Sequence, residues 1–165
     1  MKIGRVTISD RASTGVYADR SGPEIEAVLR EFLPEAQFHA ELLPDEPDQI
    51  SAVLRRLTDE LACDLVVTTG GTGITPRDVT PEATRSVLDR ELPGFGEAMR
   101  MGSFATVKTA ILSRAIAGTR GRSLILNLPG KPSAVRECLE ILAPALTEAL
   151  ALLREGEAHV CGQTK

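Results

Sequence analysis

The sequence predicts an α/β protein, a three-layer α/β/α arrangement around a mostly parallel central sheet. Short apolar, β-branched runs alternate with longer stretches whose apolar residues recur at helical spacing. Strands alternating with amphipathic helices build a parallel sheet covered on both faces. In such sheets ligands bind beyond the carboxyl ends of the strands, where the strand order switches. With 165 residues the chain reads as one domain, residues 1–165, able to bury roughly two-thirds of its unfolded surface.

Lys2 to Ser9 reads as the first strand, with Ile3, Val6 and Ile8 apolar, stopping at the polar cluster Ser9-Asp10-Arg11. A loop leads to Ser21-Gly22-Pro23, after which Ile25, Val28, Leu29, Phe32 and Leu33 form one helical stripe. Ala36, Phe38, Ala40 and Leu42 alternate as in a half-exposed strand near a sheet edge. Beyond the acidic turn Pro44 to Asp48, Ile50, Val53, Leu54, Leu57 and Leu61 share a helix face. Leu65 to Thr69 is a buried strand, followed by glycines and a helix carrying Val87 and Leu88. Pro93-Gly94 breaks that helix and starts another segment, and Thr109 to Ala117 reads as a further helix ending at Gly118. Leu124 to Leu126 is a short strand closed by Asn127-Leu128-Pro129-Gly130. Pro132 starts the last helix, striped by Val135, Leu139, Leu142, Leu146, Leu150 and Leu153, and the tail after Glu155 reads as irregular.

Composition narrows the function. Hydrophobic residues at 42% and charged residues at 25% are ordinary for a soluble domain, and no apolar run reaches a membrane span. There is no signal-peptide pattern, and the three cysteines, Cys63, Cys138 and Cys161, lie far apart without a CxxC, which fits a reducing cytoplasm. His39 and His159 are isolated and read as structural or surface residues. A net charge of −4 argues against nucleic acid, and with no Trp there is little to stack bases on. From Ala98 to Arg136, however, seven basic residues occur without one Asp or Glu. That stretch reads as a positive field for a polyphosphate ligand, with a solvated basic surface or subunit contact as the alternative.

The chemistry concentrates in Leu65 to Thr84. Gly70, Gly71 and Gly73 follow the strand, so the backbone can turn tightly and approach a ligand closely. Thr80 then reads as the N-cap of a helix with Pro81 at its first position and Glu82 in its first turn. Strand, glycine loop and helix N-terminus together make an anion-binding arrangement, or else a plain tight turn. Neither standard phosphate motif fits. Position 76 is Pro where a dinucleotide fingerprint needs its third glycine, and Gly130-Lys131 is followed by Pro132 where a Walker loop needs Ser or Thr. Arg77 and Asp78 stand between loop and helix, placed to face a phosphate and its metal, although Arg77 and Arg114 fit simple pairing with neighbouring acids equally well.

Thr69 to Gly73, Pro76 to Thr84, Pro93 to Glu97, Ile111 to Arg114, Asn127 to Gly130 and the opening Ile8 to Arg11 resemble the molybdopterin adenylyltransferases. The likeness covers nearly the whole chain, and the domain type also occurs in gephyrin-like proteins. It implies a molybdopterin-binding-domain-like fold and a nucleotidyltransferase of molybdenum cofactor biosynthesis. Such an enzyme moves AMP from Mg-ATP to the terminal phosphate of molybdopterin and releases pyrophosphate. By resemblance Asp78 is the essential catalytic aspartate and a ligand for Mg²⁺, directly or through water, and Asp45 is a second functional acid. Thr69, Gly70, Gly71, Thr72 and Gly73 would hold nucleotide phosphates, so that a side chain at Gly71 would strike them. Ser9, Asp10, Arg77, Ser113, Arg114, Asn127, Pro129, Gly130 and Ser133 would complete the binding surface. The partners implied are molybdopterin and ATP, two further copies in a homotrimer, and transiently a molybdenum-insertion protein, with no nucleic acid and no membrane. The alternative is a carrier or scaffold of the same fold that binds molybdopterin without transferring AMP.

Overall fold

The computed structural model describes residues 1–160 and contains one six-stranded sheet in the order β2-β1-β3-β6-β5-β4. Its strands are β1 (Lys2–Ile8), β2 (Gln37–Leu43), β3 (Leu65–Thr69), β4 (Arg90–Glu91), β5 (Ala117–Arg120) and β6 (Ser123–Leu128). The first four in spatial order run parallel, with Ile3 level with both Phe38 and Leu65, and Leu65 level with Leu124. β5 and β4 close the far edge antiparallel. Alternation along β1, β3 and β6 sends side chains to two cores. Ile3, Leu65, Val67, Leu124 and Leu126 pack with α2 (Ser21–Phe32), α5 (Pro93–Phe104) and α6 (Pro132–Val160). Val6, Ile8, Val66 and Ile125 pack on the other side with α3 (Pro47–Arg55) and α4 (Thr80–Arg85). Each fully buried Leu or Ile contributes about 1.5–3 kcal/mol of transfer free energy, so both faces hold the sheet. The predicted three-layer α/β fold is the one observed.

β2 is an edge strand and half-exposed, as its alternation implied. Helix α3 runs into a π-helical turn, Arg56–Glu60, which still buries Leu57 against Gly4. A one-turn helix, α1 (Asp10–Ser13), follows β1 where only a polar loop was expected, its start capped by the Ser9 hydroxyl accepting from the Ala12 amide at 3.3 Å.

Three expectations need correction. Thr109 to Ala117 is not a helix: a 3-10 turn over Lys108–Leu112 gives way to extended chain and then to β5. The turn buries none of its own residues, and Ile111 is 60% exposed, so no core contact extends it, whereas Ala115, Ile116 and Ala117 are buried against the sheet. Thr80 is not the cap of α4. That position is Val79, and the Thr80 hydroxyl is buried without a hydrogen-bond partner among the described residues. Finally, α6 continues past Glu155, and residues 161–165, with Cys161 and the side chain of His159, lie outside the described residues. No helix among the described residues is long and apolar enough to cross a membrane.

Candidate active site

Because β1, β2, β3 and β6 are parallel, the loops at their carboxyl ends share one edge of the sheet, and β2 and β3 flank β1 where the strand order switches. A cleft of two adjoining lobes lies there. The first, about 790 Å³, is lined by Ser9, Asp10, Asp45, Thr69, Gly70, Gly71, Arg77, Asp78 and Gly130, together with Arg11, Tyr17, Asp19, Arg20, Thr75 and Lys131. The second, about 530 Å³, is mostly apolar and lies between the glycine loop, α5, the 3-10 turn and the start of α6. Thr72, Gly73, Ser113 and Pro129 line it, with Met99, Ser103, Val107, Leu112 and Cys138. Gly70, Gly71, Thr75, Asp78, Gly130 and Lys131 belong to both lobes.

The glycine loop is shaped by its own chain. Gly70 has φ +98° and Gly71 φ +60°, a region costly for other residues. A Cβ on Gly70 would run into the Ile8 carbonyl oxygen, and one on Gly71 would meet the Thr80 hydroxyl and, at 2.8 Å, Asp45 Oδ1. The glycine at 71 is therefore required by Thr80 and Asp45 before any phosphate is considered. Gly73 leaves room for Asp78, whose Oδ2 would lie 2.8 Å from an added Cβ.

Asp78 is held by its neighbours. Its Oδ2 accepts from the Thr75 amide at 2.8 Å and the Thr75 hydroxyl at 2.6 Å. Partial burial pushes this carboxyl up, but the Thr75 hydroxyl and the backbone amides of Thr75 and Gly73 outweigh it, leaving the group below its ordinary value and ionised. Asp45 goes the other way. Burial raises it, and the charges of Asp10 and Asp78 add to the rise, against the Asp10 amide and Arg77. Asp10 is held low chiefly by Arg77, whose Nε and Nη2 reach its two oxygens at 3.0 and 2.8 Å, while Nη2 also bonds Glu46 at 2.9 Å.

The structure thus brings Ser9, Asp10, Asp45, Thr69 to Gly73, Arg77, Asp78, Ser113, Pro129 and Gly130 to one cleft. It leaves three of the anticipated residues out. Asn127 is fully buried, its amide donating to the Thr68 and Thr84 hydroxyls at 3.0 and 2.9 Å, so it ties β6 to β3 and α4. Arg114 donates to the carbonyls of Gly73 and Asp78 and pairs with Glu82, bracing the loop from behind. Ser133 is exposed on the first turn of α6 and lines neither lobe. The basic stretch also disperses: Arg120 pairs with Asp59 and Arg136 with Glu24 and Glu31, leaving Lys131 and Arg100 at the cleft. Besides Arg77, the first lobe draws two further cations, Arg11 and Arg20, from the turn after β1 and the loop before α2. The sole tyrosine of the chain, Tyr17, was the one available signal for that loop; its hydroxyl lies 2.8 Å from Ser9 Oγ and its ring 5.2 Å from the Arg11 guanidinium.

A cleft at the switch point of a parallel sheet, with a glycine loop and an ionised aspartate at the junction of two lobes, defines a class of α/β proteins that bind phosphorylated ligands. The comparisons place the chain within it. The family model described as "Probable molybdopterin binding domain" matches residues 4–148. A molybdopterin adenylyltransferase of Helicobacter pylori (strain J99) is 55% identical over 152 residues, covering 92% of this chain and 86% of that protein. That of Haemophilus influenzae is 56% identical over 142 residues, covering 85% and 72%. Among solved structures, the molybdopterin biosynthesis enzyme MoaB of Thermus thermophilus superposes with a TM-score of 0.86 at 48% identity, covering 92% of this chain and 95% of that one. The chain belongs to the molybdopterin-binding domain family and, within it, to the molybdopterin adenylyltransferases.

Proposed function

We propose that this protein transfers the adenylyl group of ATP to the terminal phosphate of molybdopterin. A phosphate oxygen of molybdopterin bonds to the α-phosphorus of ATP, the bond from that phosphorus to the bridging oxygen breaks, and pyrophosphate leaves with the electron pair. The observation that carries the reading is the junction itself: the glycine loop and Asp78 are common to a polar and an apolar lobe, so two ligands can meet there. Such a transfer needs alignment of two anions and neutralisation of charge more than covalent help from the protein.

The donors fit Mg²⁺. Asp78 and Asp45 offer hard carboxylate oxygens on the cleft, and each lies in the other's field, so a divalent cation relieves a repulsion already present. No cluster of three or more His, Cys, Asp or Glu metal ligands occurs among the described residues. Asp78 would hold the ion, with Asp45 beside it, and the ion would neutralise charge on the phosphates. Gly70, Gly71 and Gly73 bring backbone close to those phosphates, and Lys131 supplies an exposed cation at the junction. By the same family likeness the protein works in the cytoplasm as a homotrimer and passes its product to a molybdenum-insertion protein.

The deciding measurement is pyrophosphate release from Mg-ATP with and without molybdopterin, for the native protein and Asp78→Asn. Release that requires molybdopterin and drops by on the order of 10²-fold or more in the variant is the expected result. Absence of release from a native protein that still binds molybdopterin tightly would make it a carrier or scaffold instead.

A further inference from the structure

The second lobe contains a hydroxyl that the protein itself leaves without a strong partner. Ser103, on α5, is 5% exposed, and its Oγ is buried with no hydrogen-bond partner among the described residues. A helical serine commonly returns its hydroxyl to a carbonyl of the preceding turn, and this one does not. The Cys138 thiol beside it is its one weak contact: burial pushes that thiol up to about 11, the Ser103 hydroxyl opposes the rise, and the thiol stays neutral. Two other polar groups of the lobe, Arg100 and Glu137, are engaged elsewhere. Arg100 donates to the carbonyls of Ser113 and Ala115 at 3.2 and 3.3 Å, and Glu137 accepts from the Thr106 hydroxyl at 3.3 Å. Buried hydroxyls are nearly always well bonded, so one with only a thiol beside it, on a residue lining a binding lobe, leaves hydrogen-bonding capacity for a ligand.

We propose that Ser103 is a specificity-determining residue for the pterin, its hydroxyl reading a polar edge of the bicyclic ring inserted into the second lobe. The proposal rests on the adenylyltransferase reading. A hydroxyl both donates and accepts, and so matches a pyrimidinone edge on which N–H and C=O groups alternate. The apolar wall around it, Met99, Val107 and Leu112, suits the faces of a flat heterocycle. The triphosphate of ATP suits the first lobe, where Arg11, Arg20 and Lys131 stand. Sites that bond a substrate's polar edge gain their selectivity from the unpaired group left behind when the wrong ligand enters.

The test is Ser103→Ala, read by three measurements: thermal stability, the Kd of molybdopterin and the Kd of ATP. Since the hydroxyl has only the weak Cys138 thiol beside it in the free protein, its removal should leave Tm nearly unchanged, while the molybdopterin Kd rises about three- to tenfold and the ATP Kd stays put. A fall in Tm with unchanged molybdopterin affinity would make Ser103 a structural residue. A rise in the ATP Kd alone would place the adenine, not the pterin, in this lobe. Either result overturns the proposal. Failure of the native protein to release pyrophosphate, with the molybdopterin effect intact, would instead count against the transferase reading and leave the Ser103 contact standing.

Discussion

Asp10 and Asp45 exchange hydrogen bonds across the tips of β1 and β2: the amide of each donates to the carboxylate of the other, at 2.9 and 3.0 Å. The exchange fixes the spacing of two loops that are 35 residues apart and sets both carboxylates on the cleft. Yet their ionisation diverges, because Asp10 has Arg77 as its principal partner while Asp45 is the more buried and faces two negative neighbours. One acid is stabilised as a charge by the fold, and the other is charged at a cost to it.

That divergence gives a pH dependence of stability with two signs. Asp10 and Asp78, held below their ordinary value, contribute stability that is present above about 3.8 and is lost as pH falls through their folded values. Asp45, held above it, contributes in the opposite sense: stability present below about 3.8 is lost as pH rises through its folded value. Asp45→Asn, whose amide oxygen can still accept from Asp10, should therefore melt higher than the native protein at neutral pH, with the difference shrinking toward pH 3.8. Mg²⁺ should raise the native Tm more than the variant's. A variant that melts lower than native at pH 7 would refute the assignment.

Arg114 braces the loop through two carbonyls and Glu82 rather than facing the cleft. Arg114→Met should then lower Tm and slow turnover together, since Gly73 and Asp78 lose their common support. Losing a partly buried charged hydrogen-bond network costs about 1.5–3 kcal/mol. A weaker ATP KM with undiminished Tm would mean that Arg114 touches phosphate after all.

The parts of this fold that were legible are those whose signal is local. Leu65 to Thr69 announces a buried strand by β-branching alone, and Gly70 to Gly73 a tight turn by composition. The antiparallel edge was not legible: β4 is two residues long, and β5 is Ala-Gly-Thr-Arg, whose strand character comes from pairing with β6. At the site, the loops at strand ends were found because parallel topology forces them together. The roles of Asn127, Arg77 and Arg114 were not, because each is decided by a partner 31 to 67 residues away. The second lobe hid for another reason. Met99, Ser103 and Cys138 sit on helices where their spacing reads as ordinary core, and only packing shows that they border a cleft.

Gly73 provides a probe of Asp78 that does not touch its charge. The backbone there does not need a positive φ, so Ala is tolerated conformationally, but its Cβ would press on Asp78 Oδ2. Gly73→Ala should fold with a Tm near native and lose about 10²-fold in pyrophosphate release through displacement of the carboxylate. Full turnover in that variant would show that the position of Asp78 is not critical.

Asn127 separates motif from contact. Its side-chain NH₂ joins the Thr68 and Thr84 hydroxyls in the interior, and none of its atoms lines the cleft. Asn127→Ala leaves both hydroxyls without that donor in a region closed to water, at a cost of about 1–3 kcal/mol, or roughly 3–10 °C in Tm for a chain of this size. Because α4 starts directly behind the glycine loop, loosening its tie to β6 should speed local opening of Thr80 to Arg85, visible as faster amide exchange. The ATP Kd of the folded protein should stay unchanged. An Asn127→Ala protein that melts as native but no longer binds ATP would put the amide on the ligand and reverse this account of the motif.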